Sequence, residues 1–198
     1  MSPLLFVLLV LPAFSADPQR ALAEAARQQI GVTLRYDARY VRMNYPGGDL
    51  PLESGCRTDV VVRAYRAFGV DLQALVHKDI SAGWSAYPHG PAQVRPDPSI
   101  DHRRVLTLAT FFTRQGAGLP ITRNPSDYLP GDLVTWKLRE GVFHIGLLST
   151  RSVDGRPTGG RPLVIHNICC GVKEEDLLFG PYPITGHFRF PVPSRPVP

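Results

Sequence analysis

Apolar positions recur at helical spacing in the first part of the chain and in short β-prone runs later on. Pro18 to Ile30 (PQRALAEAARQQI) is Ala-rich and predicts a helix closed by Gly31. Thr58 to Phe68 (TDVVVRAYRAF) predicts a second, with Thr58 as N-cap, Asp59 favourable in the first turn and Gly69 as the stop. A third helix is expected from Asp71 to about Ile80, and a fourth from Arg103 to Gln115, closed by Gly116. From Asp132 onwards the texture is that of strands. Asp132 to Leu138, Val142 to Thr150 and Pro162 to Ile168 are apolar and β-prone, and Thr185 to Phe190 reads as a closing strand. Arg139-Glu140-Gly141 forms a short hairpin loop, and Arg151 to Arg161 a longer polar one. Helices first and an antiparallel sheet of about five strands afterwards spell an α+β fold in one domain.

Two looping segments interrupt this order: Gly31 to Gly55, rich in Tyr, Pro and Gly with a turn at Pro46-Gly47-Gly48, and the Pro-rich stretch Ser85 to Pro98. The totals of 20 Pro and 18 Gly in 198 residues agree with a chain made largely of turns and connectors. Its charged fraction of 20% and hydrophobic fraction of 43% exclude a fully disordered chain and a multi-span membrane protein. The net charge of +5 is spread out, with no Lys/Arg block of the kind that marks a nucleic-acid arm, so nucleic acid is not expected as a partner. An anionic polymer such as the cell wall is compatible with that charge. The apolar run Leu4 to Leu11 is too short for a membrane span, which needs about 20 apolar residues. With Ala13-Phe14-Ser15 behind it, the run reads as a secretory signal over residues 1–16, leaving one domain over 17–198 and placing it in the periplasm or cell envelope.

Export makes the three cysteines informative. An oxidising compartment would pair two of Cys56, Cys169 and Cys170 and leave an odd thiol; adjacent cysteines rarely bridge, so a Cys56 bridge to Cys169 or Cys170 is one alternative. Otherwise Cys56, at the start of the Thr58 helix, is either a buried core cysteine or a thiolate favoured by the positive end of the helix dipole. His144 and His166 lie on consecutive strands, where each is either a core side chain or part of a site. A hairpin centred on Gly155 would set them directly opposite one another, and a one-residue slip would send them to opposite faces. Two imidazoles on one face and a cysteine at a helix start are the parts of a Cys–His–polar hydrolytic site. A zinc site built from His166 with Cys169 and Cys170 is a weaker alternative, because no second ligand pair of metal spacing accompanies it. His102 in Asp101-His102-Arg103-Arg104 reads as part of a solvated capping turn or a cleft wall, and His77 as a surface residue. His89 falls in a loop and His187 in the last strand; Tyr36, Tyr40 and Tyr45 either line a groove or pack.

PGDLVTW (Pro130 to Trp136), HIGLLS (His144 to Ser149) and VIHN (Val164 to Asn167) together resemble the NlpC-type branch of papain-like cell-wall peptidases. More closely, RYDARYVRMNYPGGDLP (Arg35 to Pro51), TDVVVRAYRAFGVDLQALVHKD (Thr58 to Asp79), IDHRRV (Ile100 to Val105) and ITGHFR (Ile184 to Arg189) resemble the YijF-like domain-of-unknown-function family. The resemblance covers about Ala21 to Phe190. It implies a papain-like α+β fold and an exported peptidase or amidase acting on peptidoglycan or a muropeptide, with no metal or organic cofactor. Cys56 would then attack the carbonyl, His144 would move the proton, and His166 would orient His144. Arg57, Asp59, Tyr45 and Asn167 would contact the substrate.

One position departs from that pattern. The family's nucleophile directly precedes the Thr-Asp pair, a place held here by Arg57, with Cys56 one residue earlier. On a helical wheel Val60, Val61, Ala64 and Phe68 define the buried face, and position 57 projects onto its middle, whereas 56 lies roughly 100° away. Three outcomes stay open: Cys56 serves as nucleophile, Arg57 marks a protein that binds without cutting and pairs a substrate carboxylate, or the residue is a variant of an active parent. Arg57 beside an active Cys56 would help to depress its pKa.

Overall fold

A computed structural model describes residues 17–91, 93–156 and 160–194; the expected leader, residues 1–16, lies outside them. Helix α1 (Pro18–Arg27) starts at Asp17, whose carboxylate accepts from Gln19 N–H at 3.0 Å, and it buries Leu22, Ala23 and Ala26. A two-residue parallel pair, β1 (Arg35–Tyr36) with β2 (Ser54–Gly55), leads directly into α2 (Arg57–Arg66). Helix α3 (Leu72–Ala82) is capped by Asp71 through Gln73 N–H at 3.0 Å, and α4 (Val105–Arg114) follows a separate turn at Asp101–Arg103. Helix α2 is buried along most of its length, so its Val60-Val61-Val62 run is core on three sides.

Two helix starts differ from expectation. Thr58 is not the N-cap of α2: Cys56 holds that position, because the Asp59 carboxylate accepts from Cys56 N–H at 2.6 Å and draws the backbone into helix one residue earlier. Helix α4 begins at Val105 rather than Arg103, since Arg103 is pulled inward to Asp59 and to the carbonyls of Asp37 and Arg39.

The sheet contains β3 (Leu133–Lys137), β4 (Phe143–Ser152), β5 (Pro162–His166), β6 (Lys173–Glu175) and β7 (Ile184–Phe188), all antiparallel, in the order β6-β5-β4-β3-β7. The architecture is α+β, with helices covering one face. Leu133, Ile145, Leu147 and Ile165 meet α1, α2 and α4 on that face, whereas Val134, Trp136, Leu148 and Val164 pack with Tyr128 and Leu178 on the other. Strand β6 is the element that the hydrophobic pattern misses: Lys173-Glu174-Glu175 has no apolar alternation and is held as an edge by β5 alone.

The β4–β5 register pairs Leu147 with Ile165 and Leu148 with Val164, which centres the hairpin on Arg156 instead of Gly155. The offset moves each partner by two residues, an even step, so His144 and His166 keep a common face as diagonal rather than direct neighbours. Gly146 fills the place between them. A Cβ there would stand 2.4 Å from Val164 Cγ1 and 3.4 Å from His166 Cβ, so only glycine allows β5 this close. Among the described residues no helix is long and apolar enough to cross a membrane.

Candidate functional site

The N-terminus of α2 opens onto a cavity of about 510 Å³ whose wall includes Tyr36, Cys56, Arg57, His89, Arg104 and Phe143. Arg57, the first residue of the helix, reaches across it. Its Nη1 donates to Phe143 O at 2.5 Å, its Nη2 donates to the Tyr36 hydroxyl, and its guanidinium carbon lies 5.6 Å from the Tyr36 ring centre. The short β1–β2 pair is what brings Tyr36 beside a residue twenty-one positions away.

Cys56 lines the same cavity but is only 3% exposed, and its sulfur makes a 3.0 Å hydrogen bond with the Thr58 hydroxyl. Burial pushes the thiol pKa up and the Asp59 carboxylate adds to that, while Arg103 and Thr58 act in the opposite direction. The expected lowering by the helix start and Arg57 is therefore overturned. Loss of water around the sulfur outweighs the nearby positive charge, and the group rests as a thiol.

His144 and His166 come together. His144 Nε2 lies 3.1 Å from His166 Nδ1, with the rings edge to face at 5.1 Å, and His166 Nε2 lies 3.1 Å from Glu175 Oε2. The carboxylate fixes the tautomers by acceptor logic. Glu175 only accepts, so His166 donates from Nε2 and accepts at Nδ1; His144 therefore donates from Nε2 and keeps a bare Nδ1. That nitrogen is buried and has no hydrogen-bond partner. Burial, with the His166 and Arg57 charges adding, drives His144 down to about 2, and burial also lowers His166 against the pull of Glu175. No hydrogen bond joins Cys56 to His144, since the one occupied nitrogen of His144 faces His166. Glu175 escapes a sequence reading because it sits in a three-residue polar edge strand; its one signal is the exposed carboxylate at the strand end.

The remaining expected contacts are placed differently. Asp59 is buried, and its carboxylate holds Cys56 N–H and the Arg103 guanidinium at 3.0 and 3.1 Å, so it fixes the helix start instead of facing a ligand. Asn167 is fully buried and donates to Gly55 O at 2.9 Å, tying β5 to the residue before Cys56. Tyr45 lies outside the cavity, edge-on to His77 at 5.0 Å in a neighbouring groove. His77 is thus half-buried against an aromatic ring. Asp101, His102 and Arg103 are buried, correcting the solvated turn, and burial lowers His102 to about 4. His187 is buried between Pro120 O and Asp132, and His89 stacks on Trp84 at 4.2 Å.

Cys169 and Cys170 are bonded to each other, and Cys56 is free. The alternative of a Cys56 bridge is not realised, because the two neighbours satisfy one another in an exposed turn after β5, against the rarity of bridges between adjacent cysteines. The same bond removes both thiolates from the zinc alternative. Among the described residues no group of three or more His, Cys, Asp or Glu side chains is arranged to hold a metal ion.

Residues 23–190 match the family described as "Domain of unknown function (DUF1287)". The chain belongs to that family. A relative, "Uncharacterized protein YijF" of Escherichia coli (strain K12), is 50% identical over 175 residues, covering 88% of this chain and 83% of its own. In structure the chain is similar to NlpC1 from Trichomonas vaginalis at a TM-score of 0.47 and 14% identity. That match covers 88% of this chain and 44% of the other, so this member of the family spans less than half of that structure.

Proposed function

We propose that this chain is an exported cell-envelope module that binds a carboxylate-bearing cell-wall peptide at Arg57 without cutting it. The observation that carries this reading is the division of labour at the head of α2. The thiol is buried, protonated and bonded to Thr58, while the guanidinium one residue later stands in the cavity with N–H groups to spare. An arginine clamped by Tyr36 and Phe143 is pre-oriented for bidentate recognition of a carboxylate. The leader-like run Leu4 to Leu11 and the diffuse positive charge support an envelope location and an anionic partner.

A second reading has its own support. Cys56 lines the cavity, and His144, His166 and Glu175 form a hydrogen-bonded chain on the neighbouring strands, so hydrolysis of a peptidoglycan amide by Cys56 is the alternative. Incubating the full-length mature protein with muropeptides separates the two. Retention of a muropeptide without products, with affinity falling about tenfold in Arg57→Gln at unchanged circular dichroism, supports the binding module. Product release that disappears in Cys56→Ala overturns it in favour of the peptidase.

A further inference from the structure

The cavity at Arg57 does not end there. Gly90 and Arg104 form a wall shared with a second, larger groove of about 1180 Å³, open to solvent along the loops at 40–45 and 93–100. Arg42 and Arg95 line this groove together with Arg104, and Tyr40 and Tyr45 are 59% and 47% exposed beside them. Arg42, Arg57, Arg95 and Arg104 have no salt-bridge partner among the described residues, unlike Arg63, Arg66 and Arg103 nearby, which are engaged by Asp49, Asp71 and Asp59. The acidic side chain in the groove wall is Asp97, and its Oδ1 already accepts from Ser99 N–H at 2.8 Å. Arg104 also feels the buried Asp101, which leaves Arg42 and Arg95 as the groove arginines not engaged by a carboxylate among the described residues.

We infer that this groove is a second anion subsite, so that the two cavities together take an acidic peptide with two spaced carboxylates, one at Arg57 and the other between Arg42 and Arg95. The inference rests on the carboxylate reading at Arg57 and extends it to the substrate class. Planar guanidinium forks match carboxylates, and the two exposed tyrosine rings offer apolar cover to the peptide backbone between them. A nucleic acid is disfavoured because its phosphates need a continuous basic track, whereas these arginines are few.

The test uses the full-length mature protein and two synthetic tetrapeptides, one with two carboxylates and one with the distal carboxylate amidated, titrated by calorimetry. The two-carboxylate peptide is expected to bind about tenfold more tightly, and Arg42→Gln/Arg95→Gln is expected to erase that advantage while leaving the amidated peptide's affinity in place. Equal affinity of the double variant and wild type for the two-carboxylate peptide overturns the second subsite. If Arg57→Gln still weakens the amidated peptide in that case, the first reading survives alone. Loss of neither peptide's binding in Arg57→Gln removes the first reading, and with it this one. A single-stranded oligonucleotide that outcompetes the two-carboxylate peptide at 0.15 M salt overturns the peptide assignment.

Discussion

His144 Nε2 and His166 Nδ1 are 3.1 Å apart across the β4–β5 hairpin, and Gly146 lets the strands come that close. The contact follows from register: an even offset keeps the two rings on one face, and a glycine between them removes the Cβ that would hold β5 away.

Gly146→Ala should therefore act on the imidazole pair as well as on stability. The new methyl would meet Val164 Cγ1 and His166 Cβ, and overpacking of this kind costs about 1–3 kcal/mol. A urea midpoint lowered to that extent, with altered ring resonances for both histidines, is the expected result. An unchanged midpoint would show that β5 has room to move.

The tautomers are open to direct measurement. Nitrogen-15 spectra should show His144 neutral and protonated on Nε2 down to pH 4, consistent with a pKa pushed down to about 2. In Glu175→Gln the amide can also donate, so the directionality of the chain is lost and a mixture of tautomers should appear. A His144 resonance that titrates near pH 6.5 in the wild-type protein contradicts its buried, neutral state.

Stability should fall with acid in a defined window. Buried His102 and His144 have folded values of about 4 and about 2, below the roughly 6.5 of an exposed imidazole. Between those limits the unfolded chain binds the proton and the folded one does not. Stability is therefore full above about pH 6.5 and declines as the pH drops, by up to about 1.4 kcal/mol per pH unit for each histidine. Chemical denaturation from pH 7.5 to 4.5 measures the slope, and His102→Asn should flatten it. A flat wild-type profile would remove the argument.

Cys56 should react slowly. Its buried thiol, raised in pKa, predicts alkylation by iodoacetamide at pH 8 at least about tenfold slower than a free cysteine, rising to the free rate in urea. Mass spectrometry of the labelled chain reads both. Rapid labelling of the native protein would instead favour a nucleophilic role.

The Asp59–Arg103 pair should be the strongest single fastener at the site. Both groups are buried, and Arg103 also holds the carbonyls of Asp37 and Arg39. Arg103→Ala leaves the Asp59 carboxylate uncompensated and should cost about 3–5 kcal/mol, whereas replacing both partners with apolar residues should cost less than the single changes added together. Additive losses in the thermal or urea midpoint would mean that the two groups do not interact.

Much of this molecule was legible along the chain. Four helices and four of the five strands follow from period and from Gly, Asp and Thr punctuation, since those signals are local: a helix face or a strand face is set by residues within one or two turns. The common face of His144 and His166 was one of two possibilities along the chain, since the long loop cannot fix the register; the strand pairing decides it. Only the tertiary structure could decide what Cys56 and Arg57 do. Asp59, reaching back to Cys56 and across to Arg103, sets where α2 starts, and there the thiol is buried while the guanidinium is bonded to Phe143 and Tyr36. Glu175 and the contact of Tyr36 with Arg57 were equally hidden, because each enters the site through strand pairing or loop packing between distant segments. Desolvation, which raises the thiol and lowers the imidazoles, exists only once those segments have closed over them.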